Sequence, residues 1–455
     1  MNQQINEMGN KEQFWGNWLY KIIFVHGNIT HRLYYRRITV VGLEKIPANT
    51  PVIFAPNHQN ALMDALAVLY TTGKPVGFLA RSDIFQKPFI AKLLNLLKIL
   101  PIYRIRDGYD SLGRNQEVFD NTIEVLKSNM PICILPEGNH DGHKRLRPLK
   151  KGIFRIAFQA EESVSFNMDL QIIPIGIDYT DYFHAGADLL VVYGNPIKVS
   201  DYAGQYRENE QKTVNTLMNV LAEGMRNVMI NIPENHYELI SQIIEMYEPN
   251  VWNTCNIKRH PYNKLTIKQY LVQKANEAFS NYPEKADELS KSLREYQNKL
   301  SDLKISDCLM QQKPPRFLTI FFEILFSIVL LPVHIYSMIL NYLPYKIPIW
   351  VAAKIKDKHF QSSVQFGITM LLLPIYYIII ITIFCLFTDW FLLRMLFALT
   401  LPVAGLFALY NYKHMTKLVE KLRLFVFKLT KTDQYNTFHQ QRVQLIDLIK
   451  STINS

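Results

Sequence analysis

An α/β domain, followed by a helical extension and a membrane-embedded helical block, is the architecture this sequence predicts. Three observations predict it. Short apolar runs alternate with helical patterns from Arg36 to about Ser200. From residue 205 to 312 strand-like runs give way to helical periodicity and to a charged stretch, EKADELSKSLREYQNKLSDLK. Between about Phe317 and Tyr412 the chain turns strongly apolar. The divisions expected are an interfacial segment over 1–35, the α/β domain over 36–204, the extension over 205–312, a membrane segment of two or three apolar helices over 313–412 and a basic tail over 413–455.

The elements follow in order. FWGNWLYKIIFV (14–25) carries two Trp and one charge, too short to span a bilayer. It fits a helix lying at the interface or one packed on the domain. ITVVGL, PVIFAP, VGFLA, ILPIYRI, PICILPE, QIIPIGIDY and LLVVYG read as strands, with helices near 61–72, 113–127 and 150–161 between them, which makes a mixed sheet flanked by helices. In the apolar block, 317–340, 364–387 and 391–410 each reach the roughly 20 residues a bilayer core requires. The last two, joined by Thr388-Asp389-Trp390, form a hairpin. The first enters and leaves on one side, bent at Pro332; three plain spans are the rival reading.

Charge sets the expected orientation. The net charge of +11 calls for an anionic partner: nucleic acid, an anionic membrane surface or a phosphorylated substrate. Lys313 and Arg316 precede the first apolar run, and six Lys/Arg between Lys413 and Lys431 follow the last, against Glu420 alone. Basic residues flanking apolar spans mark cytoplasmic membrane faces. With no secretory start in the first thirteen residues, the domain is expected at a membrane and facing the cytoplasm. Cys133, Cys255, Cys308 and Cys385 lack the spacing of a zinc site or redox dithiol.

The chemistry is concentrated in APNHQNALMDALAV (55–68). His58 and Asp64 lie six positions apart and cannot share a face of one straight helix. They meet if the helix starts after His58, with Asn60 as N-cap and Asp64 pointing back. Such a pair is a general base, the carboxylate fixing the imidazole tautomer and stabilising the imidazolium. An acid at a helix N-terminus beside a histidine that merely ends a strand gives the same letters. KILPIYRIRDG puts Arg104 and Arg106 at a strand end, suited to phosphate. ICILPEGNHDGHKRLRPLKKG puts Glu137 and Gly138 at another strand end, before six basic residues between Lys144 and Arg155. The GNHD at 138–141 also occurs in metal-dependent phosphoesterases, but their upstream metal-binding blocks are missing, as is any Gly-rich phosphate loop.

The order and spacing of NH…D, an arginine after an apolar strand, PEG with a basic PLKKG, and a proline-bearing strand resemble the glycerolipid acyltransferase superfamily over roughly 38–200. The resemblance implies His58 and Asp64 as catalytic residues and Arg104, Glu137, Gly138, Lys150 and Lys151 as substrate-binding residues. It also implies an acyl thioester donor, acyl-coenzyme A or acyl-carrier protein, a glycerophosphate acceptor, membrane lipid as partner, and neither metal nor cofactor. The His–Asp spacing is one residue longer than the commonest one in the family, and PEGNHD replaces PEGTRS. Both departures resemble the branch that acylates glycerol 3-phosphate or dihydroxyacetone phosphate. The expected function is membrane-bound O-acyl transfer to glycerol 3-phosphate or 1-acylglycerol 3-phosphate in phospholipid biosynthesis. The other class is a non-catalytic, membrane-anchored basic module binding anionic lipid or nucleic acid. Nucleic acid is not expected, because the basic residues lack regular aromatic interleaving.

Overall fold

A computed structural model describes residues 18–86, 88–102, 109–254, 260–312 and 314–454. They divide into two compact units: residues up to 231 together with 355–366, and residues 232–354 together with those from 367 onward.

The first unit is built on an eight-stranded sheet: β1 (Arg37–Val41), β2 (Val52–Pro56), β3 (Gly77–Arg81), β4 (Ile99–Ile102), β5 (Ile132–Cys133), β6 (Gln171–Tyr179), β7 (Asp188–Tyr193) and β8 (Ile197–Lys198). The order is β1-β7-β6-β2-β5-β3-β4, with β8 also on β6. β2 runs parallel to both β5 and β6, whereas β7 and β8 pair with β6 antiparallel. Every residue of β2 is buried, which explains an unbroken VIFAP in place of an alternating pattern. All seven runs read as strands contain one. β8 is too short to show a period in the sequence.

Helices α1 (Trp18–Tyr34), α2 (Ala61–Thr72), α3 (Pro88–Leu96), α4 (Tyr109–Lys127), α5 (Gly152–Glu162), α6 (Ala203–Glu208) and α7 (Glu210–Val228) complete this unit. α2 ends at Gly73, whose φ of 64° forms the left-handed C-cap that glycine adopts freely. α5 supplies Phe154 and Phe158 to the core, both fully buried. The described part of the N-terminal stretch has one packed side and one exposed side. Tyr20, Gly27 and His31 of α1 are buried, while Trp18, Ile22, Val25, Ile29 and Leu33 form an exposed apolar stripe at helical spacing.

β2, β5 and β6 run in one direction, so the segments leaving their C-terminal ends gather at one edge of the sheet. NHQN, PEGNHD and the end of QIIPIGIDY all start there. In α/β sheets that edge is where ligands bind.

The second unit is helical: α8 (Tyr237–Thr254), α9 (Pro261–Asn281), α10 (Pro283–Leu303), α11 (Asp307–Met310), α12 (Phe317–Val329), α13 (Leu331–Ala352), α14 (Lys358–Cys385), α15 (Phe391–Thr430) and α16 (Thr432–Ile453). The first turns of α14 belong to the first unit. Buried Arg442 makes two bonds to Asp307, at 2.8 and 3.1 Å, and the Tyr296 hydroxyl donates to the same carboxylate at 2.6 Å. Lys421 pairs with Glu323 at 2.6 Å, so part of the basic run is held internally.

Among the described residues two helices, α14 and α15, are long and apolar enough to cross a membrane. α12 and α13 form a pair bent by 57°. The break falls at Leu330, and Pro332 occupies the first turn of the second helix, where its missing N–H and fixed φ are tolerated.

Candidate active site

His58 leaves β2 as its first half-buried residue, after Asn57 locks the strand end by exchanging hydrogen bonds with the backbone of Ile177. Its Nδ1 lies 3.0 Å from Oδ2 of Asp64. That same oxygen accepts the backbone N–H groups of Gln59 at 2.8 Å and Asn60 at 2.7 Å. The other, Oδ1, accepts the Tyr179 hydroxyl at 2.9 Å. Asp64 is wholly buried, and these four donors are what make a buried carboxylate tenable. A carboxylate at Nδ1 favours the tautomer with its proton there and the lone pair on Nε2.

The expected cap differs in one respect. Asn60 stands at the N-cap position of α2, but its side chain makes no capping bond. Asp64 reaches back to the free N–H groups ahead of the helix, and Asn60 turns its amide oxygen to the Ser362 hydroxyl at 2.6 Å. Ala61 has a φ of 43° as a result.

The PEG loop clamps the histidine backbone. Oε1 of Glu137 accepts the His58 N–H at 2.8 Å, Oε2 accepts the Arg147 N–H at 3.2 Å, and the His58 carbonyl accepts the Asp141 N–H at 3.2 Å. Burial pushes the Glu137 carboxyl up to about 7, against the opposing pull of those two N–H groups. Gly138 has a φ of 70°, and a Cβ there would stand 3.1 Å from Cγ of Lys150, so the turn requires glycine. Glu137 and Gly138 are therefore seen shaping the loop that holds His58.

Of the basic run, Lys144 pairs with Asp178, Arg145 reaches Asp141 at 3.3 Å and Arg147 donates to the Asn139 carbonyl at 3.0 Å. Lys150 is exposed and bound through its backbone to the Pro136 carbonyl at 2.8 Å; Lys151 is half-buried at the start of α5. Arg104 lies outside the described residues.

Several contributors escaped the sequence reading. Tyr179 closes a strand read only as core, and the Tyr182 hydroxyl holds Gln59 at 2.7 Å. His140 lies edge-on to His58, ring centroids 5.4 Å apart, with its Nε2 2.7 Å from Oδ2 of Asp357. Tyr179 had a usable signal, a hydroxyl ending an apolar strand. Asp357, more than two hundred residues away, had none.

A histidine held by a buried carboxylate at a strand end, with its other ring nitrogen unpaired among the described residues, has the arrangement of a general base. Residues 37–178 match the family model described as Acyltransferase. The chain is 30% identical over 126 residues, 27% of its length and 33% of the relative's, to the chloroplastic 1-acyl-sn-glycerol-3-phosphate acyltransferase LPAT1 of Arabidopsis thaliana. It is 24% identical over 217 residues, 46% of its length and 28% of the relative's, to glycerol-3-phosphate O-acyltransferase 2 of Saccharomyces cerevisiae. Among solved structures, the 1-acyl-sn-glycerophosphate acyltransferase of Thermotoga maritima is similar at a TM-score of 0.34 and 18% identity, over 46% of this chain and 78% of that one.

Proposed function

We propose that the protein is a membrane-bound O-acyltransferase that moves a fatty acyl group from acyl-coenzyme A or acyl-carrier protein to glycerol 3-phosphate or 1-acylglycerol 3-phosphate. The observation that carries this reading is the buried Asp64, its remaining lone pairs taken by Gln59, Asn60 and Tyr179, aimed at Nδ1 of a histidine whose Nε2 is free to accept a proton. Nε2 of His58 removes the acceptor's hydroxyl proton as that oxygen bonds to the thioester carbonyl carbon. The carbon–sulfur bond then breaks, and the imidazolium returns the proton to the departing thiolate. The products are an oxygen ester and a free thiol, with no acyl-enzyme. Asp64 stabilises the imidazolium, and such general-base catalysis contributes about 10²–10⁴-fold. Lys150, Lys151 and Arg104 are the cations proposed for the anionic substrates. Membrane lipid is the proposed surrounding of α14, α15 and the exposed stripe of α1, with the catalytic unit on the cytoplasmic side.

The test is transfer of a radiolabelled acyl group from each thioester to each acceptor by the full-length protein in phospholipid vesicles. Labelled phospholipid product appearing in step with free thiol supports the reading. Thiol release without an acylated acceptor contradicts it.

A further inference from the structure

Beside His58 lies a second His–Asp pair that the proposed reaction does not use. Oδ2 of Asp357 is 2.7 Å from Nε2 of His140, and Oδ1 accepts the His359 N–H at 3.0 Å. Phe360 stacks on the same imidazole, with centroids 6.4 Å apart. The segment bearing Asp357 is anchored on the catalytic unit. Ser362 donates to Asn60 at 2.6 Å, Ser363 accepts the Leu62 N–H at 3.1 Å, and Phe366 packs against the rings of His31 and Tyr34. Asp357 therefore stands at a fixed place relative to His58.

A carboxylate at Nε2 makes that nitrogen the protonated one, which leaves Nδ1 of a neutral His140 with a lone pair and no partner among the described residues. Burial holds the imidazole below its ordinary value, with Asp357 opposing and the neighbouring His58 reinforcing the shift, so the ring is neutral at neutral pH. Two imidazoles 5.4 Å apart, each with one nitrogen held by a carboxylate, leave two acceptor nitrogens for one small molecule.

We propose that His140 selects the acceptor: while His58 takes the proton of the reacting hydroxyl, Nδ1 of His140 accepts a hydrogen bond from the hydroxyl on the adjacent carbon, and Asp357 is the positioning residue that presents it. This rests on the acyl-transfer reading above and narrows it. Glycerol 3-phosphate carries two adjacent free hydroxyls. In 1-acylglycerol 3-phosphate the neighbour is an ester oxygen, and in dihydroxyacetone phosphate it is a carbonyl. Neither can donate, so the site is built for the unacylated, reduced acceptor.

The test compares kcat/KM for glycerol 3-phosphate with that for 3-hydroxypropyl phosphate, which lacks the second hydroxyl, using full-length protein in vesicles with palmitoyl-coenzyme A or palmitoyl-acyl-carrier protein. One hydrogen bond predicts a wild-type preference for glycerol 3-phosphate of roughly three- to tenfold, lost in Asp357→Asn and partly kept in Asp357→Glu. Should Asp357→Asn show no cooperative melting, the same ratio measured on His140→Gln decides. Equal rates with both acceptors in the wild type, or a preference undiminished in folded Asp357→Asn and His140→Gln, overturns the proposal while leaving acyl transfer standing. A wild type that acylates neither acceptor overturns both.

Discussion

Asp64 is the residue on which the site depends, because one carboxylate serves the imidazole and two backbone N–H groups at once. Asp64→Asn keeps the shape but presents an amide N–H₂ or a single oxygen to four donors. Leaving one buried donor unpaired costs about 1–3 kcal/mol. We expect kcat to fall roughly 10²–10⁴-fold and the melting temperature to drop, as read by steady-state kinetics and thermal unfolding in detergent. Glu137 acts oppositely on stability. Its folded pKa of about 7 lies above the ordinary 4.5, so from about pH 4.5 to 7 the folded protein holds a proton the unfolded chain has released. Stability therefore falls as pH rises through that window, by about 3 kcal/mol in all, and levels off above it. Melting temperatures from pH 4.5 to 8 should show this slope in the wild type, and Glu137→Gln should remove it.

At the scale of elements, the turn between β2 and α2 brings His58 back over the first turn of the helix through Ala61, held at a φ of 43°. A left-handed alanine costs roughly 1–2 kcal/mol, which the bonds around Asp64 sustain. Ala61→Gly should keep activity and melt no lower than the wild type, whereas Ala61→Val, branched at Cβ in a buried place, should lower both. Unchanged melting of Ala61→Val would show that the turn is not strained. This turn also marks what the sequence can reveal. The need for a helix start between His58 and Asp64 was legible, because six positions cannot share one helical face. The identity of the cap was not: Asn60 has the side chain of an N-cap, but Asp64 reaches its N–H first, and Ser362, three hundred positions away, takes its oxygen. Strands were legible from apolar runs, since β2 and β6 are buried on both faces. β8 was not, being two residues long.

For the whole molecule, the main departure from the sequence reading is residues 355–366, which belong with the catalytic unit although the motif-bearing stretch ends near residue 200. Asp357 lies far from every motif in the sequence, and only the folded chain sets it beside His140. If α14 crosses a membrane, it does so from the side of His58, because residues 355–366 belong to the same unit. If α14 and α15 both cross, Asp389 emerges on the far side and Thr432 returns to the near one. Single cysteines at 356, 389 and 432, in a chain lacking its native thiols and reconstituted in sealed vesicles, should label as near, far and near. Three plain spans would invert the pattern relative to His58, labelling 356, 389 and 432 as far, near and far. The central claim is that His58 is the base that activates the acceptor, and His58→Ala tests it most directly when melting shows the variant folded. With thioester donor and glycerol 3-phosphate in vesicles, the predicted result is a fall in kcat of at least about 10²-fold. Near-normal transfer by the folded variant would contradict it.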